Sequence, residues 1–335
     1  MATSQIKSQR IRGMSLRWLL AGVLVSLFSY AQVSNAQSEP SETIRVDSDL
    51  VDLRVSVVRL NPENPVSALQ QKDFLVFEDG KPQEIVFFAG EDSPFDLVLL
   101  LDLSGSSKDK VKLIRNSAKR FVDSTRPMDR VGIVAFADVI KIVSPLTWDR
   151  GLLKDAIEEI RDPLSGTNFW DSLLYTMTRV ISEEKSQRRS AVVVMTDGVD
   201  NALPDVYGQG SRTSFPELLD TVGRSDTLVF PIYLDTEEET VRRSRVPRDA
   251  YAIARDQLAQ IAVTSGTKMY RANKLKDLDL VYEQVIKDLS MVYSVGYKPS
   301  NTLRDGKWRS VAVQLIGRQD LTAITKRGYF AKAEP

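Results

Sequence analysis

The sequence contains neither histidine nor cysteine among its 335 residues. The absence of cysteine excludes disulfide bonds, thiolate zinc sites and cysteine nucleophiles. The absence of histidine excludes the Ser-His-Asp triad, imidazole metal ligands and the general base that enzymes use most often. Any metal site in this protein must therefore use oxygen ligands, and an enzyme built on this chain would need a carboxylate, a lysine or a metal-bound water as its nucleophile.

The chain also lacks an excess of charge of either sign, because 45 Lys and Arg residues balance 45 Asp and Glu residues. A balanced charge gives no reason to expect nucleic acid or an anionic membrane as a partner. Hydrophobic residues make up 42% of the chain, as in globular proteins, and the length suffices for one large domain and a smaller one. We therefore expect no nucleic-acid partner and no membrane contact beyond an export signal.

Residues 1–36 have the pattern of a signal peptide. Four basic residues precede the apolar run WLLAGVLVSLF (18–28), which is too short to span a bilayer comfortably. Small residues then stand where a signal peptidase requires them, so we predict cleavage near Ala36-Gln37. The mature protein is expected to be secreted or periplasmic. The alternative is an uncleaved segment that anchors the chain in a membrane at its N-terminus.

After a short polar linker (37–42), residues 43–90 predict a small β segment. The stretch VDLRVSVVRL (51–60) alternates apolar and polar residues, which is typical of a half-buried strand. The stretch DFLVFEDGKPQEIVFF (73–88) has two apolar runs on either side of Asp79-Gly80, which is a signal for a β-hairpin. Strands therefore dominate this part of the chain.

Residues 91–290 alternate strands with helices, which predicts an α/β fold with a doubly wound, mainly parallel sheet. The runs DLVLLLDL (96–103) and SAVVVMTDG (190–198) are apolar almost throughout, as in strands covered on both faces. Amphipathic helical spacing lies between them, for example in GLLKDAIEEI (151–160). Residues 291–335 are strand-like again. Because neither terminal segment could bury much core alone, we predict that the two pair into one small β domain around the α/β unit.

Five oxygen-bearing side chains follow the predicted strands of the α/β unit. Asp102, Ser104 and Ser106 stand at every second position where one strand ends, Asp197 ends another strand, and Thr167 lies in a loop before a helix. Ligand sites of open parallel sheets form just beyond the carboxyl ends of the strands, where the strand order reverses. Two carboxylates and three hydroxyls make a hard cluster that suits Mg²⁺ or Mn²⁺ better than zinc. We therefore predict a metal site at this edge.

The motifs DLSGS (102–106) and TDG (196–198), together with Thr167, resemble the metal-ion-dependent adhesion site of von Willebrand factor type A domains. The resemblance covers about residues 94–290 and implies a Rossmann-like fold. Ser107 stands where the family usually has methionine, a change that should not disturb coordination. The flanking β segments resemble a bacterial, acidobacterial-type subfamily of secreted proteins that carry this domain.

The resemblance also implies a role for each residue of the site. The serines that match Ser104 and Ser106 bind the cation directly in the family, and the threonine that matches Thr167 binds it directly or through water. The carboxylates that match Asp102 and Asp197 act largely through water. One coordination position stays open for an acidic side chain of a protein partner.

Each motif also has an ordinary structural interpretation. Ser106 and Asp109 fit a capping box at the start of a helix, and TDG (196–198) is a common turn at the end of a strand. Asn168 and Asp171 have the spacing of a helix N-cap. The conjunction of the motifs at the expected strand ends favours the metal site. Capping by Ser106 is compatible with it, because one hydroxyl has two lone pairs.

The segment after the second motif is polar. Asp200 and Asn201 are expected in a solvated loop, with the rim of the site as the alternative. The stretch NALPDVYGQGSRTS (201–214) leaves the same edge of the sheet and is a candidate for partner selection. Trp170 is expected in the core, although an exposed position beside the metal is the alternative.

The leading functional hypothesis is a secreted binding module that grips an acidic group of a protein partner through Mg²⁺ or Mn²⁺. A second hypothesis is a structural assembly component whose ion only stabilises the fold. A third is a metal-dependent phosphohydrolase, but the chain has no Walker-type phosphate loop and has D-x-S where an aspartyl-phosphate enzyme needs a second Asp. We therefore expect no enzymatic activity. The sequence identifies neither the partner nor the oligomeric state.

Overall fold

The computed structural model describes residues 50–60, 67–90, 92–105, 108–160, 165–184, 186, 188–235 and 246–333. The predicted signal peptide, the linker and Ser106 lie outside these ranges. No helix within them is both long enough and apolar enough to cross a membrane.

The described residues form fourteen strands. In chain order they are β1 (Val51–Arg59), β2 (Phe74–Glu78), β3 (Lys81–Gln83), β4 (Ile85–Ala89), β5 (Phe95–Asp102), β6 (Arg130–Phe136), β7 (Ile140–Thr147), β8 (Arg189–Thr196), β9 (Leu228–Leu234), β10 (Tyr270–Ala272), β11 (Val292–Tyr297), β12 (Trp308–Leu315), β13 (Leu321–Ile324) and β14 (Gly328–Phe330). The strands group into one sheet of six and two sheets of four.

Six α-helices lie between and around the strands of the described chain. They are α1 (Lys108–Ser124), α2 (Arg150–Glu158), α3 (Phe169–Tyr175), α4 (Phe215–Arg224), α5 (Arg248–Ser265) and α6 (Leu278–Ser290). Helix α3 continues into a π-helical segment, Thr176–Ile181. Helix α6 leads after a single residue, Met291, into strand β11.

The six-stranded sheet has the order β10-β9-β8-β5-β6-β7. Its strands are parallel except for β7, which runs antiparallel at one edge. Every residue of β5 is buried, and two hydrophobic clusters, one on each face of the sheet, enclose the strand. The doubly wound, mainly parallel sheet is therefore confirmed. From β5 the chain adds β6 and β7 on one side and then β8, β9 and β10 on the other, so the strand order reverses at β5. This is the switch point where a ligand site is expected.

The terminal segments together build two antiparallel sheets of four strands, in the orders β13-β1-β11-β4 and β14-β12-β2-β3. Both sheets contribute to one hydrophobic cluster, in which Val55 and Val57 of β1 meet Phe74 of β2 and Tyr293 of β11. Neither terminal segment could form these sheets alone, because β1 pairs with β11 and β2 pairs with β12. The prediction of a small β domain formed by the flanking segments is thus confirmed.

The hairpin expected around Asp79-Gly80 is shorter than the sequence indicates. Strands β2 and β3 do pair across these two residues, which adopt the positive φ angles of 48° and 77° that a tight hairpin turn requires. However, the second apolar run does not pair with the first. It forms β4, which pairs with β11 in the other sheet, and its Phe88 ring packs against both Tyr293 of β11 and Phe74 of β2.

The start of β5 carries a buried ionic cluster. Asp96 is almost fully buried, and it accepts hydrogen bonds from Arg130 Nε at 2.8 Å, Arg130 Nη2 at 2.7 Å and Arg188 Nε at 2.9 Å. Burial alone would raise the pKa of the Asp96 carboxyl, but hydrogen bonds from Arg130 and Ser186 and the charges of Arg130 and Arg188 outweigh it and lower the pKa. The cluster ties the beginning of β5 to the strands on both sides of it.

Asp96→Asn should destabilise the protein by about 2–4 kcal/mol at pH 7, because the largely buried guanidinium groups of Arg130 and Arg188 lose the buried carboxylate that they share. The folded pKa of Asp96 lies below the unfolded value of about 3.9, so its contribution is present above pH ~4 and is lost as the pH falls through the folded pKa. Urea unfolding should therefore show a difference in the free energy of unfolding between wild type and variant that is constant from pH 7 to about pH 5 and narrows as the pH falls below about 4.

The matched control is Asp220→Asn, which removes an exposed carboxylate paired with Arg224. Its effect should stay below about 1 kcal/mol, as for other surface ion pairs. An Asp96→Asn variant as stable as this control at pH 7 would contradict the assignment.

Candidate metal centre

The carboxylate of Asp102 lies at the carboxyl end of β5 and is held through both of its oxygens. Oδ1 accepts hydrogen bonds from the backbone N–H of Ser104 at 2.8 Å and from its Oγ at 2.5 Å. Oδ2 accepts a hydrogen bond from Thr196 Oγ1 at 2.5 Å. Asp102 is only 7% exposed, so these partners fix its orientation. The carboxylate thereby joins the ends of two adjacent parallel strands, β5 and β8.

The turn that follows β8 carries the second carboxylate. Thr196 Oγ1 accepts a hydrogen bond from the N–H of Gly198 at 2.8 Å, and Asp197 Oδ1 accepts one from the N–H of Val199 at 3.1 Å. The turn interpretation of TDG is therefore correct as far as the backbone is concerned. Sequence reasoning did not assign a role to Thr196, although the residue belongs to the motif that was singled out.

Thr167 reaches the same place on a loop held by its own backbone. The Thr167 carbonyl accepts a hydrogen bond from Asn201 N at 2.9 Å, and the N–H of Asn168 donates to Ala137 O at 2.8 Å. These bonds tie the loop to the segments that follow β6 and β8. Thr167 is largely buried but keeps access to the cleft above the sheet.

Four of the five predicted metal residues line one cleft at the carboxyl ends of the strands. They are Asp102, Ser104, Thr167 and Asp197, and the cleft has a volume of about 1100 Å³. The fifth, Ser106, lies outside the described residues. Its capping box with Asp109 therefore stays a prediction. The assignment of these five residues to a metal therefore stays a prediction, while the convergence of the four is a fact of the fold.

The electrostatics of the cleft favour a cation. Burial, and then the nearby charge of Asp197, raise the pKa of the Asp102 carboxyl to about 7, although hydrogen bonds from Ser104 and Thr196 act in the opposite direction. Two carboxylates that repel each other beside hydroxyl oxygens are a donor set suited to a hard divalent ion. Within the described ranges no three or more carboxylate, imidazole or thiol residues cluster as metal ligands, so a metal here would depend on the hydroxyls.

Asp200 lies inside the protein, which corrects the expectation of a solvated loop position. It is 0% exposed. Its Oδ1 accepts hydrogen bonds from the N–H groups of Ala202 and Ser211, at 2.8 and 2.9 Å, and its Oδ2 accepts from Ser211 Oγ and from Trp170 N, at 2.6 and 3.0 Å. The carboxylate thus closes the loop 201–211 onto the start of α3. The sequence pattern places Asp200 in solvent because Ser211 and Trp170, which donate hydrogen bonds to its carboxylate, are distant in sequence.

The beginning of α3 also differs from the N-cap expectation. The side chain of Asn168 makes no capping hydrogen bond and instead donates to Asp138 O at 3.1 Å. The carboxylate of Asp171 accepts hydrogen bonds from Arg212 N and Thr213 N, both at 2.9 Å, so it holds the far end of the same loop. Trp170 is buried, as its place at the start of a helix favoured.

Asp200→Asn should loosen the loop 201–211 because an amide NH₂ group would face donors that now require an acceptor. We expect hydrogen exchange at the amides of Ala202 and Ser211 to accelerate by at least about tenfold, measured by mass spectrometry or NMR. Asp205→Asn is the matched control, since Asp205 is exposed on the same loop and asparagine tolerates its positive φ of 60°. Equal exchange in the two variants would show that Asp200 does not hold the loop.

Comparisons with known proteins find one matching family model, and several similar proteins and solved structures. Residues 96–215 match the model of the von Willebrand factor type A domain. A UPF0353 protein of Nocardia farcinica is 22% identical over 93% of this chain and 97% of its own length. Among solved structures, BatB of Bacteroides thetaiotaomicron is 17% identical, covering 58% of this chain and 98% of that one, with a TM-score of 0.44.

A second solved structure is that of proximal thread matrix protein 1 from the mussel byssus, with a zinc-occupied MIDAS motif. It is 20% identical, covers 59% of this chain and 48% of that one, and has a TM-score of 0.44. The match of residues 96–215 places β5, the Thr167 loop and the end of β8 within one family model. The match of residues 96–215 thus agrees with the resemblance of the DLSGS and TDG motifs to the von Willebrand factor type A domain.

Proposed function

We propose that this chain is an exported binding module that holds a divalent cation in the cleft and uses it to bind an acidic group of a protein partner. The observation that carries the proposal is the convergence of Asp102, Ser104, Thr167 and Asp197 at the switch point of the sheet. These residues come from three distant segments, and each is held by its own backbone or side-chain hydrogen bonds.

Residues of this chain would divide the work at the cation. Ser104, Ser106 and Thr167 would offer neutral hydroxyl oxygens, while Asp102 and Asp197 would orient hydroxyls and waters from behind. Mg²⁺ or Mn²⁺ suits such hard, oxygen-only donors. Neutral hydroxyl ligands would leave most of the cation's positive charge unneutralised. The bound cation would therefore favour a carboxylate of a partner as a further ligand.

The hydrogen bonds of Asp102 support this division. Its Oδ1 already positions the Ser104 hydroxyl, and its Oδ2 is engaged by Thr196. Because both of its oxygens already accept hydrogen bonds, this carboxylate is better placed to orient neighbouring ligands than to coordinate the cation directly. The D-x-S motif has Ser104 where the aspartyl-phosphate mechanism of a phosphohydrolase requires a second Asp. We therefore propose no enzymatic role.

The cation and the partner can be tested with one pair of variants. Thr167→Ala should weaken Mg²⁺ binding by on the order of 10–100-fold, because it removes a hydroxyl ligand, whereas Thr167→Ser should bind nearly as well as wild type. Titration calorimetry with Mg²⁺ measures this step. The immobilised mature chain should then capture its protein partner in Mg²⁺, and it should lose the partner with chelator and in Asp102→Ala.

Asp220→Ala serves as the control for capture, because Asp220 is exposed on α4, away from the cleft. Retention of the partner by chelated protein would refute the proposal. If Mg²⁺ raised the melting temperature but capture of the partner did not depend on Mg²⁺, the ion would only stabilise the fold. The structural alternative would then replace the binding module.

Export is part of the same proposal, and it rests on the pattern of residues 1–36. Expression of the full chain in a bacterial host should yield a mature protein outside the cytoplasm whose first residue is Gln37, as N-terminal sequencing or intact mass would show. A full-length chain retained in the membrane fraction would support the N-terminal anchor instead.

A further inference from the structure

The loop between Asn201 and Ser214 is built to a fixed shape beside the cleft. Asp200 and Asp171 hold it at two points through the hydrogen bonds described above. Gly210 approaches the loop's own beginning so closely that a Cβ at this position would lie 1.9 Å from Ala202 N. Such an approach is open only to glycine. The loop therefore folds back on itself and does not extend freely into solvent.

The fixed loop presents an exposed aromatic side chain. Tyr207 is 90% exposed and lines the same cleft as Asp102 and Thr167. With its ring in water, Tyr207 adds little to the stability of the fold. Exposed aromatic side chains on rigid supports are characteristic of binding surfaces, where they offer a large contact area at a low cost in conformational entropy.

A second exposed apolar side chain lies on the other side of the Thr167 loop. Val139, in the turn between β6 and β7, is 56% exposed and lines the cleft as well. The peptide unit between Thr167 and Asn168 shows this arrangement: its N–H donates to Ala137 O and its C=O accepts from Asn201 N, and these two groups point in opposite directions. The Thr167 loop is thus flanked by the Val139 turn and by the segment that begins the Tyr207 loop.

The charges of the rim restrict where an acidic group can lie. Lys110 and Arg212 line the cleft and attract an acid. The carboxylate of Asp171 is engaged by two loop amides. The exposed Asp138, next to Val139, disfavours a second acid on that side. The rim therefore fits one acidic group at the centre, with uncharged groups beside it.

We infer that the partner is a peptide segment in which one Asp or Glu is flanked by large apolar side chains, and that Tyr207 and Val139 contact these side chains on either side of the cation. The inference rests on the proposed function and specifies the chemistry of its partner. An acidic polysaccharide fits less well, because the aliphatic Val139 offers no hydrogen bond to a sugar hydroxyl.

A displayed library of random heptapeptides with a fixed central Glu tests this inference with the intact mature chain. Selection in Mg²⁺ should enrich Leu, Ile, Phe, Trp or Tyr at the positions next to the Glu, and selection with chelator should enrich nothing. The selected peptides should bind Tyr207→Ser and Val139→Ser roughly tenfold more weakly than wild type, which is the loss of one hydrophobic contact. Mg²⁺ binding by both variants should stay unchanged.

The controls are the same substitutions at exposed positions outside the cleft. They are Tyr175→Ser on α3, where Tyr175 is 37% exposed, and Val86→Ser on β4, where Val86 is 49% exposed. Both should bind the selected peptides like wild type. Tyr207→Phe should also retain binding, which separates loss of the ring from any disturbance of the loop.

The outcomes distinguish the inference from the function beneath it. Peptides that require Mg²⁺ and the central Glu but show no apolar preference would overturn the inference and leave the proposed function standing. Absence of any Mg²⁺-dependent selection, or stronger binding of an oligogalacturonate than of any peptide, would overturn the inference together with the protein partner it specifies. Equal losses in the cleft variants and in the controls would also overturn it.

Discussion

The structure of the site depends on the buried carboxylate of Asp102. One of its oxygens accepts hydrogen bonds from Ser104 and the other accepts one from Thr196, so it links the ends of β5 and β8 at the centre of the sheet. Burial and the charge of Asp197 make its ionised form costly. In the proposed function, a divalent cation at the hydroxyls would offset that cost, which gives a role to the acidic residue at the end of a strongly apolar strand.

The remainder of the fold keeps this carboxylate and its neighbours in place. Parallel strands buried on both faces bring three segments to one edge, and the Asp96 cluster fixes the opposite end of β5. Above the edge, Asp200 and Asp171 give the loop 201–214 a definite shape. The parts of the molecule held by these contacts carry the four predicted cation residues that the structure describes, and the side chains exposed at the rim are those that the proposal assigns to a partner.

Sequence patterns predicted much of this arrangement, because they report local preferences. Continuous apolar runs identified the buried strands, and the alternation of oxygen-bearing residues after Phe95–Asp102 indicated the site. The same reasoning was wrong about Asp200, which looks like a loop residue until the approach of Ser211 and Trp170 is known. It also paired the run at 85–89 with its sequence neighbour, whereas the strand joins β11 about 200 residues later. Such choices are made by tertiary contacts, which local patterns do not encode.

A crystal structure of the mature chain grown with Mn²⁺ tests the central claim most directly, since anomalous scattering locates the ion independently of the refined geometry. The account predicts an anomalous peak in the cleft within about 2.0–2.4 Å of the hydroxyl oxygens of Ser104, Ser106 and Thr167. Asp102 and Asp197 should contact the ion through water molecules, and one coordination position should face the solvent. A cleft without such a peak, or an ion bound only by the two carboxylates with the three hydroxyls apart from it, would contradict the account.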